Sequence, residues 1–472
     1  NDTLISGLGY TALAGNVTVD SGAEITISSQ TSLTVTDWIN VNSGGNIQVN
    51  NSGSIVQIND TVNTGSITLD RDVDMLKYDY VYWSTPVNDF TSNEISPLTS
   101  TSLIWKWEPT VPTNTNGFGT WVNGNEVMQI GRGYIVRGPN NFNNTTLQTH
   151  TATFSGTPNN GTINVPITRG TYAGADYTGP TNTMVTEDDD NWNLLGNPYP
   201  SSIDAIDFLN ANTNLDGFIK VWTHGTLPSS AEVDPFYQDF SYNYTTDDYI
   251  TYNVMGTSSG PGIFGGYIAS GQGFFTSMLH STASTNENVT FLNSMRSNTY
   301  DNSQFFRTSS KNELSDQYGR IWLDLISPSQ NTSRILVGYK EGATYGRDRL
   351  YDAFVDRKST FKLFSLINEE KMLIQGRPIP FDLEDKVDLG LIIPNDGIYT
   401  FAIGAIDGFF DNLNIDIYIE DKLTNTIHNI RQSPYNFTAN QGQIDDRFVL
   451  RYTNNTNILS TNDVYITSDS NI

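Results

Sequence analysis

The sequence predicts an all-β protein: a short N-terminal β-solenoid, a duplicated β-rich middle domain and a C-terminal antiparallel β-sandwich. Three observations carry that prediction. Hydrophobic residues are 37% of the 472 and charged residues 16%, the balance being Asn, Thr, Ser, Gly and aromatics; this mixture suits short strands and turns better than long helices. Apolar-x-apolar triplets recur near the N-terminus at an almost fixed spacing. Cleanly alternating runs crowd the C-terminal part. The expected boundaries are 1–64 for the solenoid, 65–297 for the middle domain, 298–455 for the sandwich and 456–472 for a linker or the start of a further module.

The triplets start at Val17, Ile25, Leu33, Ile39, Ile47 and Ile55, with spacings of 8, 8, 6, 8 and 8 residues. All but the last, where Gln57 takes the third place, put two apolar side chains on one face of a short strand. Turn clusters separate them: Asp20-Ser21-Gly22, Asn42-Ser43-Gly44-Gly45 and Asn50-Asn51-Ser52-Gly53. Short strands cannot bury their apolar faces alone, so they stack as a solenoid or its last rungs, or pair as a β-meander. The chain begins at Asn1 rather than Met, and an uncapped first rung would leave an open edge, so further chain is expected upstream.

Residues 66–295 repeat themselves faintly. The first half has Tyr82-Trp83-Ser84-Thr85-Pro86, then Ile104 to Trp107, then Gly131-Arg132-Gly133-Tyr134. The second has Leu195-Gly196-Asn197-Pro198, then Ile219 to Trp222, then Gly271-Gln272-Gly273-Phe274. Each half reads as a strand with a Pro turn, a strand with a buried Trp, and a Gly-x-Gly-aromatic strand whose glycines permit close approach or positive φ. No helix follows either Gly-x-Gly, so neither is a nucleotide loop. One helix is expected over 201–209, with a Ser N-cap and Ile203, Ile206 and Leu209 on one face, ending at Asn210. Residues 226–262 read as a long surface excursion. Within it Phe236, Tyr237, Phe240, Tyr242, Tyr244, Tyr249 and Tyr252 either form a ligand surface or fold inward to hold the loop on its sheet.

Seven alternating runs between Arg320 and Tyr452 predict the sandwich, and the polar tail carries one strand-like piece at Val464-Tyr465-Ile466.

Composition excludes several functions. With 25 basic against 51 acidic residues the net charge is −26, which disfavours nucleic acid and anionic lipid as partners. The absence of Cys removes disulfides, thiolate zinc and thiol nucleophiles. Histidines 150, 224, 280 and 428 share no local zinc spacing. No cofactor is required by the pattern; calcium is the ion it suggests. Asn212, Asn214 and Asp216 precede Gly217 as in the front of a calcium loop, although Thr223 stands where a bidentate Glu belongs. Asp188-Asp189-Asp190 and Asp407 with Asp411 are further oxygen clusters, and Asx turns explain all of these equally.

The strings ILVGYKEGATYGRDRLYD from Ile335, IQGRPIPF from Ile374, DDRFVLRYT from Asp445 and WNLLGNPYPSSID from Trp192 resemble the region preceding the sorting signal in large surface proteins of Bacteroidota. The resemblance spans roughly residues 65–455. It implies export and attachment by the type IX secretion machinery, a sorting domain opening near residue 460, and display at the cell surface or outer membrane, in some relatives alongside gliding motility. Asp2-Thr3-Leu4 and Asp60-Thr61-Val62 match the O-glycosylation pattern of that phylum, which implies glycans on Thr3 and Thr61. The expected function is a non-catalytic adhesin or fibre component that binds extracellular glycans or proteins. The rivals are a filament subunit that adds copies of itself by strand addition and a secreted polysaccharide-active enzyme.

Overall fold

Three faces of short parallel strands wind up the N-terminal region. The first stacks Thr3–Ile5, Glu24–Ile27 and Asn46–Val49; the second Thr11–Ala14, Ser32–Val35 and Ser54–Gln57; the third Val17–Val19 and Ile39–Val41. Partners such as Val17 with Ile39, Glu24 with Asn46 and Ser32 with Ser54 lie one 22-residue turn apart. The spacings of 8, 8 and 6 residues are therefore the three sides of one rung, and parallel pairing decides for a solenoid over a meander. Val19, Ile27, Val35, Ile47, Val49 and Ile55 point inward and are buried. Outside, polar side chains bridge successive rungs: Asn42 Nδ2 donates to Asp20 Oδ1 at 3.0 Å and Asn59 Nδ2 to Asp37 Oδ1 at 2.7 Å.

The computed structural model describes every residue except 1, 114–116, 173–176, 179–183, 186, 226–247, 259–263, 304–317, 356–360 and 456–472. The chain forms two compact units, one of Asn1–Tyr249 with Pro261–Ser310, the other of Ile250–Gly260 with Lys311–Ile472. The boundary expected at 64 is not a break in packing. Strand Ile67–Met75 stacks in parallel on Asn46–Val49 and pairs antiparallel along its whole length with Gln148–Gly156. Two buried arginines tie later segments to the solenoid. Arg296 donates to Ile55 O at 2.6 Å and to Ser201 Oγ at 2.9 Å, and Arg71 donates to Asn302 O at 2.8 Å. Burial holds both guanidinium pKa values down to about 10, still charged at neutral pH.

The duplication is a repeat of topology. In the first half Tyr80–Trp83, Tyr134–Arg137 and Ile104–Thr113 lie side by side; in the second, Trp192–Gly196, Gly273–Ser277 and Ile219–Trp222 take the same order. The halves interlock reciprocally. The Trp107 indole donates to Trp192 O at 3.0 Å, and its counterpart Trp222 donates to Tyr80 O at 2.9 Å. Ser84 N–H donates to Gly271 O, and Gly196 N–H to Gly131 O. Gly131 and Gly271 have φ of 80° and 71°, the left-handed conformation that favours Gly.

The predicted helix exists but starts later. It spans Ala205–Ala211, and its N-cap is Asp204, whose carboxylate accepts from Ile206 and Asp207 N–H. Ser201 and Ser202 are instead buried, Ser201 against Arg296. Aspartate outcompetes the serines because Ile203–Asp204 is held as a strand against Tyr267–Ile268.

In the second unit one eleven-stranded sheet supplies both layers of the sandwich. It runs from Thr426–Asn429 through Tyr418–Asp421, Gly442–Arg451, Lys386–Ile393, Lys362–Ile367, Glu370–Arg377, Thr332–Tyr339, Gly319–Ile326 and Gly397–Gly408 to Tyr435–Ala439, with the eleventh strand, Ala353–Phe354, branching from Glu370–Arg377. All pairings are antiparallel except that of Thr332–Tyr339 with Glu370–Arg377. The two ends of the sheet meet through side chains: Tyr435 Oη donates to Asp421 at 2.9 Å, and the Phe437 and Phe448 rings lie 4.5 Å apart.

Candidate functional site

A shallow groove of about 520 Å³ opens on the first unit, lined by Asn141, Phe142, Asn143, Thr146 and Gln148. It is built by the connection from strand Tyr134–Arg137 to strand Gln148–Gly156. Gly138 starts it, packed so closely that a Cβ there would lie 2.3 Å from Leu76 O. Asn143 then organises the loop. Its carbonyl accepts Lys77 N–H at 2.8 Å, and its Oδ1 accepts from Thr145 N–H at 2.7 Å and Thr146 N–H at 3.1 Å, an Asx turn. Its own N–H donates to Gln148 Oε1 at 2.5 Å. The half-buried Phe142 ring meets His150 edge-on at 6.2 Å. His150 bonds Ile95 O at 2.9 Å, and burial pushes its pKa down.

The groove adjoins a flat polar face. Thr149, Thr151 and Thr153 each donate a hydroxyl to Asp74, Asp72 and Asp70, at 2.7, 2.6 and 2.7 Å. Gln48 continues the row to Asp70 Oδ2 at 2.8 Å, and Asn46 bonds Glu24 and Thr68. Exposed amides that both donate and accept, beside an apolar ring, offer the contacts a polyhydroxylated ligand needs.

The residues singled out from sequence fall as follows. Phe236, Tyr237, Phe240, Tyr242 and Tyr244 lie outside the described residues. Tyr249 corrects the reading of it as a surface ring. It is 6% exposed, its hydroxyl lies 2.5 Å from that of Tyr82, and its ring is 4.9 Å from Trp222. Asn212, Asn214 and Asp216 are neighbours, but their side chains serve protein partners. Asn212 accepts Thr290 N–H at 2.7 Å and donates to Phe208 and Thr290 carbonyls; Asn214 donates to Glu287 at 2.9 Å; Asp216 accepts the Ser277 hydroxyl at 2.7 Å. Among the described residues no three His, Asp or Glu side chains gather as a metal site. Asp190 lies 3.1 Å from His280, and Asp407 pairs with Arg320. The histidines do not converge: His150, His224 and His428 bond Ile95 O, Asp74 O and Ser433 O. Thr3 is exposed on the first rung. The Thr61 hydroxyl is enclosed without a hydrogen-bond partner and so is not presented to an external enzyme in the folded chain.

Sequence reasoning missed the groove. Its only local signal is Gly138-Pro139-Asn140-Asn141 followed by Phe142, which reads as an ordinary turn.

Residues 1–452 match the model of a family described as a domain of unknown function (DUF8693), and the chain belongs to that family. No curated protein and no solved structure matches it.

Proposed function

We propose that this family member is a non-catalytic binding module of an exported, surface-displayed adhesin or fibre protein, and that its ligand is an extracellular glycan. The observation that carries the reading is the groove over Asn141–Gln148 set against the Thr149–Thr153 row. A solvent-exposed amide set with one aromatic wall suits capture of sugar hydroxyls and the apolar face of a pyranose. The solenoid and the interlocked halves supply a rigid base, so little conformational entropy is lost when the ligand docks. Export by the type IX route and glycosylation of Thr3 belong to the same proposal and rest on the sequence resemblance.

The test is a glycan array probed with the purified chain and with the Asn141→Ala/Thr146→Ala variant. Both side chains are exposed, so the melting temperature should hold within about 2 °C. The proposal expects retention of one or more glycans, lost at least tenfold in the variant. Unaltered retention by the variant, or turnover of any bound glycan, contradicts it.

A further inference from the structure

We infer that the saccharide taken by this groove is acidic, a uronate whose carboxylate is held by Lys77 and Arg137; the inference rests on the glycan reading above and narrows it. Two other cations of the first unit are paired with acids, Lys106 with Glu126 and Arg132 with Glu108, each at 2.6 Å, while Arg71, Arg169 and Arg296 donate to neutral oxygens such as Asn302 O, Thr282 O and Ile55 O. Among the described residues neither Lys77 nor Arg137 has a carboxylate within ion-pair distance. Both stand over one ring instead, with Arg137 Cζ 4.4 Å and Lys77 Nζ 5.8 Å from the Tyr78 centroid. All three side chains are half-buried.

They stand beside the lining of the groove rather than in it, joined to it through their backbone. Lys77 N–H donates to Asn143 O, and Arg137 is the last residue of the strand from which the groove loop springs. Gly138, next in sequence, packs against the Leu76 and Lys77 backbone, where a Cβ would lie 3.0 Å from Lys77 O. A guanidinium stacked on a ring keeps its N–H edge for a planar acceptor, and the fork matches a carboxylate. Single cations over a ring occur elsewhere in the unit, as with Arg296 over Tyr199, but two like charges gathered on the Tyr78 ring, in a chain with 51 acidic and 25 basic residues, concentrate positive potential where an anion would be favoured. The carboxylates on the adjoining row, Asp74, Asp72 and Asp70, already accept the Thr149, Thr151 and Thr153 hydroxyls, and repulsion from more distant acids is screened beyond about 8 Å at physiological salt. The amide of Asn141 and the Nδ2 of Asn143, whose Oδ1 is taken by the Asx turn, then serve the hydroxyls of the same sugar.

The experiment is calorimetric titration of the full chain, in buffer containing a chelator, with oligogalacturonate and with its fully methyl-esterified form. These share the sugar and differ in charge. The acid form should bind about tenfold or more tightly than the ester. Lys77→Gln and Arg137→Gln should each erase most of that difference and leave the ester unchanged. Arg137→Lys, which keeps the charge but loses the fork, should fall between the unaltered chain and Arg137→Gln, and this ranking guards against a folding artefact in the glutamine variant. Equal binding of acid and ester, or capture of neutral glycans with the uronate ignored, overturns the inference and leaves the glycan reading standing. Failure to bind any saccharide overturns both.

Discussion

The indole N–H of Trp222 donates across the duplication to Tyr80 O at 2.9 Å, and the Trp222 ring lies nearly parallel to Tyr82, 5.8 Å away and tilted by 8°. Its counterpart Trp107 returns the bond to Trp192 O. Each half thus supplies a buried aromatic that closes the other half's first strand. The two halves form one cooperative body, since neither can satisfy its own Trp or shelter its own strand. Trp222→Phe should lower the stability of the first unit by about 2–3 kcal/mol, combining lost buried area with an orphaned carbonyl. Differential scanning calorimetry should show that transition moving and the transition of the second unit staying in place.

The glycines of the Gly-x-Gly strands make a ranked prediction. A Cβ at Gly133 would lie 2.5 Å from Leu194 Cγ and 2.7 Å from Leu195 O, against 3.0 Å from Tyr82 Cβ at the matching Gly273. Backbone cannot yield as a side chain can. Gly133→Ala should therefore cost more than Gly273→Ala, on the order of 1–3 kcal/mol for the former. Chemical denaturation of the two variants checks the order, and a reversed ranking would sink the interlock account.

These features mark what the sequence revealed and what it did not. The 22-residue rung was present in the triplet spacing, and the duplication in its Trp and Gly-x-Gly landmarks, because burial and backbone conformation leave local traces. The reciprocal bonds join residues 85 and 142 positions apart, and no local pattern encodes that pairing. Tyr249 shows the same limit from the other side. Ring density around it suggested a surface, but its place on strand Tyr249–Asn253 beside Trp222 puts it in the core. The apolar runs of the second unit announced strands without saying that one sheet would close on itself. The groove was illegible because its key residue, Asn143, works through turn geometry and a carbonyl contact to Lys77.

Stability of the second unit should depend on Asp352. Its carboxyl is buried, and burial raises its pKa to about 7 with help from the Asp348 charge, against the opposing pull of the Asp348 and Gly376 N–H groups it accepts and, more weakly, of Arg347. The fold favours the protonated form, so the folded protein holds a proton that the unfolded chain releases above about pH 4. The contribution is full below that pH and is lost as pH climbs toward 7. Urea unfolding at pH 5, 6, 7 and 8 should show this decline, and Asp352→Asn should flatten it. An unchanged slope in the variant would rule the residue out.

His150 predicts the opposite trend in the first unit. Burial lowers its pKa below the ordinary value of 6.5, so the folded state favours the neutral ring. Its stability is full above about pH 6.5 and lost as pH falls through the lowered value. Because its ring abuts Phe142, acidification should loosen the groove loop, and ligand affinity should fall as pH drops from 6.5 through the lowered value. His150→Phe should keep the packing and remove the pH dependence, read by titration at pH 5 and 7.5.

The central claim is that ligand binds the groove and the adjoining threonine row. Hydrogen–deuterium exchange with mass spectrometry, on the chain with and without a glycan retained on the array, tests it most directly. The account predicts slowed exchange in peptides covering 137–153 and 75–79, with little change on the opposite half of the duplication. Protection confined to 226–258 or to the second unit, with 137–153 unchanged, would contradict it.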